Sequence, residues 1–232
     1  MERFPFLKEK GHVISIVGAG GKTTLMYALA SLYAGNGVRT MVTTSTHILS
    51  PGPDLWAANT SEMQRLWSLG SYAVVGSPAE EGKLTALPES EFNSYLQMAD
   101  IVLIEADGAK RKPCKVPASH EPVIVAASDI VIGVMGMDAW SRPIEEVCFR
   151  TEEAVRLLHT DRKELLTTEM MAEILASEDG TRKNVGERDY YVVLNQCDTQ
   201  ELQKAAEEIC RKLYVRGIQK STCISLEKEG FR

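Results

Sequence analysis

The chain has 232 residues, a net charge of −6 at neutral pH, 44% hydrophobic residues and 25% charged ones. That is the composition of an ordinary soluble globular protein, long enough to bury a real core. The acidic balance argues against general nucleic-acid binding, and no apolar run reaches the roughly 20 residues that span a bilayer, so neither nucleic acid nor membrane is an expected partner.

One domain over 1–232 is expected, with room for a small helical insertion at about 141–188. The N-terminus, Met1 to Phe6, lacks a secretory pattern. Cys114, Cys148, Cys197, Cys210 and Cys223 are dispersed with no C-x-x-C, which suits buried or surface thiols in a reducing cytoplasm. The four histidines are equally dispersed and suggest no zinc site.

Val13 to Val17 is an apolar run and predicts a strand. Gly18-Ala19-Gly20-Gly21-Lys22-Thr23-Thr24 follows, and then Leu25 to Leu32, free of Gly and Pro, predicts a helix. A strand, a glycine turn and a helix N-terminus aim backbone N–H groups and a positive helix end at one point, where an anion can sit. Glycine lets the backbone approach a phosphate without a Cβ in the way. Lys22 is placed to reach the outer phosphates, and the Thr23 hydroxyl to ligate Mg²⁺. The loop is a short form, G-x-x-G-K-[ST], because Ile16 stands where the commoner pattern has its first glycine. In this spacing it is similar to the loop of the Mur and folylpolyglutamate ligases.

Gly35-Asn36-Gly37 stops the helix, and Val38 to Val42 predicts the next strand. This βαβ unit implies parallel strands, with ligands at their carboxyl ends. Thr43 to His47 emerges there. Thr44 is a candidate Mg²⁺ ligand, and Thr46 and His47 are candidates for a second substrate. A short helix is expected over Ser61 to Leu69 with Ser61 as its cap, a strand at Tyr72 to Gly76, an edge strand at Gly82 to Leu87, and a helix over Pro88 to Met98.

Asp100 opens a predicted strand whose apolar run, Ile101 to Ile104, is unbroken and which ends in Glu105 and Asp107. Their i, i+2 spacing sends both to one side if the strand continues that far. An acid at such a strand end holds Mg²⁺ or its water in phosphate-loop enzymes, so Glu105 and Asp107 are the candidate metal and catalytic acids, beside Lys22. The irregular stretch that follows carries Lys110, Arg111, Lys112 and Lys115, a local reversal of sign that points to an anionic second substrate, with His120 further along.

Val123 to Ala126 and Asp129 to Val134 are further apolar runs. Helices are expected from Thr151 and from Thr167 or Thr168, each capped, with a polar loop, expected to be disordered, over Ser177 to Asn184. Tyr190 to Leu194 predicts a late strand ending in Asn195-Gln196-Cys197-Asp198, before a helix from Thr199 to Leu213. Asn-Lys-x-Asp at a strand end reads guanine in GTPases; here Gln196 replaces the lysine, and Asp198 or Thr199 also suits a helix cap. Ser221 to Ile224 is the last candidate strand. The fold class is therefore α/β: a P-loop NTPase-like three-layer sandwich with a mostly parallel sheet and helices on both faces.

Taken together, the 17–24 loop, Thr43 to His47, Glu105-Ala106-Asp107-Gly108-Ala109, Lys115-Val116-Pro117-Ala118, His120-Glu121-Pro122 and Asn195 to Asp198 resemble the YqeC family, described as selenium-dependent hydroxylase accessory or selenium cofactor biosynthesis proteins. The resemblance runs from Gly11 to about Ile224. It implies a part in maturing selenium-containing molybdenum hydroxylases, with the hydroxylase or its pterin cofactor as partner, and it supplies no reaction. The residues themselves imply ATP or GTP with Mg²⁺, held by Gly18, Ala19, Gly20, Gly21, Lys22, Thr23, Thr24, Asn195 and Asp198. Two other classes stay open. One is an ATP-dependent ligase or kinase; the other is a non-enzymatic, nucleotide-gated chaperone or scaffold.

Overall fold

The structure is a computed structural model and describes residues 10–225. In chain order its elements are β1 (His12–Gly18), α1 (Lys22–Gly35), β2 (Thr40–Thr44), β3 (His47–Leu49), α2 (Thr60–Ser68), β4 (Ala73–Val74), β5 (Ser77–Pro78), β6 (Lys83–Thr85), α3 (Glu89–Leu96), β7 (Ile101–Glu105), β8 (Cys114–Lys115), β9 (Ile130–Gly136), α4 (Ile144–Val147), β10 (Cys148–Phe149), α5 (Thr151–Leu158), α6 (Thr168–Ala176), β11 (Asp189–Asn195), α7 (Gln200–Val215) and β12 (Ser221–Cys223). The sequence reading of the first six residues lies outside the described residues.

The chain divides into two compact units. Residues 10–16, 23–106 and 123–130 form the first, and 17–22, 107–122 and 131–225 the second.

The first unit carries strands in the order β1-β7-β2-β4, all parallel. Their register aligns Ile16 with Glu105 and Glu105 with Thr44, so the carboxyl ends of three strands finish in line. Val13, Met41, Val102 and Ile104 pack with Met63 and Leu66 of α2 and Tyr95 of α3. Ile14, Ile16, Val42 and Leu103 belong to the alternate set, which points to the opposite face, and they are equally buried, so both faces are covered. At the other end of the strands, the Arg39 guanidinium grips Asp100 through Nε at 3.2 Å and Nη2 at 2.8 Å. A separate antiparallel sheet runs β3-β6-β5, so the expected edge strand at 82–87 exists as β6 but belongs to this second sheet.

The second unit orders its strands β9-β11-β12, with β11 and β12 parallel. β8 and β10 form a two-residue parallel pair. One apolar cluster joins Met135, Val192 and Leu194 to Ile144, Val147 and Ala154, Met171, Ile174 and Leu175 of α6, and Ile209 of α7. The 141–188 segment thus shares its core with the late strand and the last helix.

Several local expectations change. The α2 cap is Asn59, whose side chain accepts from Glu62 N at 3.0 Å, while the Glu62 carboxylate takes Ala58 N at 2.7 Å; Ser61 lies inside the helix. Thr167 caps α6 as expected, but α5 starts from Arg150 in a left-handed conformation with no side-chain cap. Residues 123–126 form no strand. The 177–184 loop is packed: Thr181 is buried and its N–H donates to Ile174 O at 2.7 Å, and Lys183 Nζ donates to Ala118 O at 2.8 Å. Its polar side chains fasten the backbone around them, which composition alone does not reveal.

Candidate functional site

In the second unit the glycine loop lies against β9 and the end of β11. Gly18, Gly20 and Gly21 all have positive φ. A Cβ at Gly18 would sit 2.3 Å from Val134 O, and one at Gly20 would sit 2.0 Å from Gly136 N, so the need for glycine is both conformational and steric. The loop N–H groups are already engaged: Gly18 N donates to Asp107 Oδ2 at 3.1 Å, Ala19 N to Val134 O at 2.8 Å and Gly20 N to Lys112 O at 3.2 Å. In this arrangement Gly18, Ala19 and Gly20 shape the loop. The N–H groups at the start of α1, from Gly21 to Thr24, are the ones that an α-helix leaves without an intrahelical partner.

Lys22 is buried and folds back over its own loop. Its Nζ donates to Gly18 O at 2.7 Å and lies 3.1 Å from Asp107 Oδ1. Oδ1 has no partner with hydrogen-bond alignment, so this contact is an ion pair by proximity. Asp107 Oδ2 is also 3.1 Å from Lys115 Nζ. Lys115 in turn lies 3.1 Å from Glu121 Oε2, which Arg150 Nε meets at 2.8 Å. Charges alternate along Lys22, Asp107, Lys115, Glu121 and Arg150, which is how buried ions are tolerated. Burial pushes the Glu121 carboxyl up, but Arg150, Lys115 and the Ala118 N–H outweigh it and hold the pKa down at about 2.

The four cations of the basic stretch therefore separate. Lys115 is only 1% exposed and acts as an internal counter-ion. Lys110 and Arg111 are exposed, at the unusual φ values of 45° and 60°. Lys110 sits 5.5 Å from the centre of the Phe149 ring, and Lys112 Nζ donates to Glu146 O. His120 is exposed and lines a 620 Å³ cavity with Arg156, His159 and Lys183.

Asn195 Nδ2 donates to Gly20 O at 2.8 Å, so this buried amide braces the glycine loop. Asp198 accepts from Ser225 Oγ at 2.5 Å, and Thr199 caps α7. Asn195 is thus engaged with the glycine loop, and the half-buried Asp198 with Ser225. Glu121 and Arg150, which complete the ion chain, were absent from the sequence candidates. Glu121 lies in the His120-Glu121-Pro122 stretch of the family resemblance, and nothing local in the sequence marks Arg150.

In the first unit, Thr23 Oγ1 donates to Glu105 Oε2 at 2.6 Å. Thr44 Oγ1 donates to Glu105 O at 2.9 Å, and Thr46 N donates back to Thr44 Oγ1 at 3.0 Å. Thr46 is half-buried and His47 is exposed on the short β3. Tyr27, one helical turn beyond Thr23, has its phenol pushed up to about 12 by burial, with Tyr72 and Glu105 adding to the shift. Strand β7 ends at Glu105, so strand alternation does not govern Asp107, and the two acids do not share a side by that rule. The donors around Glu105 are hard oxygens, the type that Mg²⁺ takes. Among the described residues, no cluster of three or more His, Cys, Asp or Glu side chains could hold a metal ion. Among the same residues, no helix is long and apolar enough to cross a membrane.

The profile of the YqeC protein family matches residues 14–152. A curated relative in Escherichia coli K12, named uncharacterized protein YqeC, is 37% identical over 131 residues, covering 53% of this chain and 51% of its own length. The chain therefore spans about half of that relative. Among solved structures, the hydrogenase maturation factor HypB of Archaeoglobus fulgidus aligns with 99% of this chain and 88% of its own at 15% identity and a TM-score of 0.46. HypB from Helicobacter pylori in complex with nickel aligns with 99% and 86% at 14% identity and a TM-score of 0.45. The MinC:MinD cell division complex of Aquifex aeolicus aligns with 91% and 79% at 15% identity and a TM-score of 0.44. Likenesses this distant carry no argument about activity.

Proposed function

The chain belongs to the YqeC family, and from that premise we propose that it is a Mg²⁺-dependent, purine-nucleotide-binding accessory protein that hydrolyses ATP or GTP while assisting the maturation of a selenium-dependent molybdenum hydroxylase. The observation that carries the nucleotide reading is that the first two residues of α1 each meet an acid. Lys22 meets Asp107 at 3.1 Å and Thr23 meets Glu105 at 2.6 Å. The hydroxylase part rests on the family alone.

In this reading, the N–H groups of Gly21 to Thr24 and the Lys22 ammonium receive the phosphates. Lys22 leaves Asp107 and Gly18 O to do so, and Lys115 keeps Asp107 neutralised meanwhile. Thr23 and Glu105 hold the Mg²⁺, with Thr44 orienting the Glu105 backbone. The cation, when bound, offsets charge developing on the phosphates. Lys110, Arg111, Lys112 and His120 meet an anionic second ligand, such as the phosphate of a pterin cofactor.

Titration with ATP and GTP in Mg²⁺, comparing the natural chain with Lys22→Ala, tests the nucleotide reading and chooses the base. At least a tenfold loss of affinity is expected for the variant. Equal binding by both proteins would remove the site. The tie of Lys22 to Asp107 also supports a second reading, a nucleotide-gated scaffold, because releasing Lys22 alters a chain of ion pairs that reaches Arg150. A pull-down of the hydroxylase that responds to a non-hydrolysable nucleotide, without turnover, would favour it.

A further inference from the structure

Cys114 and Cys148 are far apart in sequence but meet in the second unit. They stand directly opposite each other in the β8–β10 pair, and their Sγ atoms are 3.2 Å apart. Both thiols are buried, at 0% and 2% exposure. Neighbouring strands run about 4.8 Å apart, within the Cα range that a disulfide bridges, so only the sulfurs need to approach, to about 2.05 Å.

The position has a consequence for the ion chain. Cys114 immediately precedes Lys115, and Cys148 lies two residues before Arg150. Lys115 and Arg150 both hold Glu121, from the two chain segments that these cysteines join. Phe149, between Cys148 and Arg150, carries Lys110, Lys115 and Arg150 around its ring at 5.5, 5.7 and 4.9 Å.

We propose that Cys114 and Cys148 form a thiol–disulfide modification site that exchanges with low-molecular-weight disulfides and, when oxidised, clamps β8 to β10. In the first step one thiolate attacks a sulfur of the external disulfide, giving a mixed disulfide and releasing one external thiol. The second cysteine then attacks its partner's sulfur and releases the other. The protein loses two protons and two electrons, and the external disulfide gains them as two thiols. Access comes by local opening of a pair only two residues long, next to the exposed Lys110–Arg111 turn. The Cys114 thiol is pushed up by its contact with Cys148 and by burial, so exchange accelerates as the pH rises.

The test uses the full chain in buffers of graded reduced and oxidised glutathione. Samples are quenched in acid, unfolded, alkylated and mapped by peptide mass. A peptide linking Cys114 to Cys148, lighter by two hydrogens than its reduced parts, is expected from the natural chain. It should be absent from Cys114→Ala and Cys148→Ala. The melting temperature should rise on oxidation and return on adding dithiothreitol. Two thiols that remain alkylatable in fully oxidised glutathione, or a link that forms in urea and not in native buffer, would overturn the site. A lower melting temperature on oxidation would overturn the clamp. The readouts are covalent mass and unfolding, so they stand or fall separately from nucleotide binding.

Discussion

Glu105 and Asp107 are two residues apart, yet the structure surrounds them with different chemistry. Asp107 meets two buried lysines, Lys22 and Lys115, each at 3.1 Å. Glu105 accepts a hydroxyl from Thr23 at 2.6 Å, and its backbone carbonyl accepts a second from Thr44. The lesson is that a pair of acids at a strand end need not act as a pair. An aspartate enclosed by ammonium groups serves to balance charge and to hold the loop lysine. A glutamate met by hydroxyls keeps company that a hard cation also accepts. The proposed division of labour follows: Asp107 parks Lys22, and Glu105 serves Mg²⁺.

The largest expected effect breaks the Asp107 side. Lys115→Ala leaves Asp107 and Glu121 buried without their shared cation and should lower stability by about 3–5 kcal/mol. Urea unfolding at neutral pH measures it. A change below about 1 kcal/mol would mean that the acids are solvated and the contrast with Glu105 is false.

Next comes Thr23→Val, which keeps the shape and removes the hydroxyl from Glu105. A hydrogen bond to a charged group contributes about 1.5–3 kcal/mol, so a loss in that range is expected. The same variant should bind nucleotide with a weakened Mg²⁺ dependence, whereas Lys22→Ala should weaken binding with and without Mg²⁺. Identical Mg²⁺ profiles for the two variants would erase the distinction between the acids.

Acid titration sharpens the comparison further. Glu121 has a folded value held at about 2, below the ordinary 4.5. Its contribution to stability is therefore complete above pH 4.5 and is lost as the pH falls from there through 2. Glu121→Gln should flatten the fall in melting temperature across that window. An unchanged acid limb would mean that Glu121 is not held by Lys115 and Arg150.

The smallest effect belongs to the exposed end of the basic stretch. Replacing Lys110, Arg111 and Lys112 together with Ala should change stability by under about 1 kcal/mol, since exposed ions contribute little. Binding of the anionic second ligand should fall, with inorganic pyrophosphate as a simple probe. A large loss of stability would show that these cations carry the same internal load as Lys115.

The sequence by itself determined the α/β class, the order of β1, loop and α1, and the parallel β7 ending in an acid. These follow from local patterns: apolar runs bounded by glycine, and a helix that begins at Lys-Thr. The glycine spacing also marked the turn, while the steric need for glycine at Gly18 and Gly20 comes from the distant backbone of Val134 and Gly136. Tertiary structure alone decided which cations are internal. Lys110 and Lys115 look alike in one charged stretch, and only the fold buries Lys115 between Asp107 and Glu121. The same holds for Asn195, whose motif suggests base reading while its amide braces Gly20, and for Asn59, which caps α2 in place of Ser61. Residues far apart in the chain, such as Cys114 and Cys148, carry no local mark of their meeting. Periodicity and glycine spacing are written within a few residues, whereas the partner of a buried charge or thiol is set by which distant segments pack together.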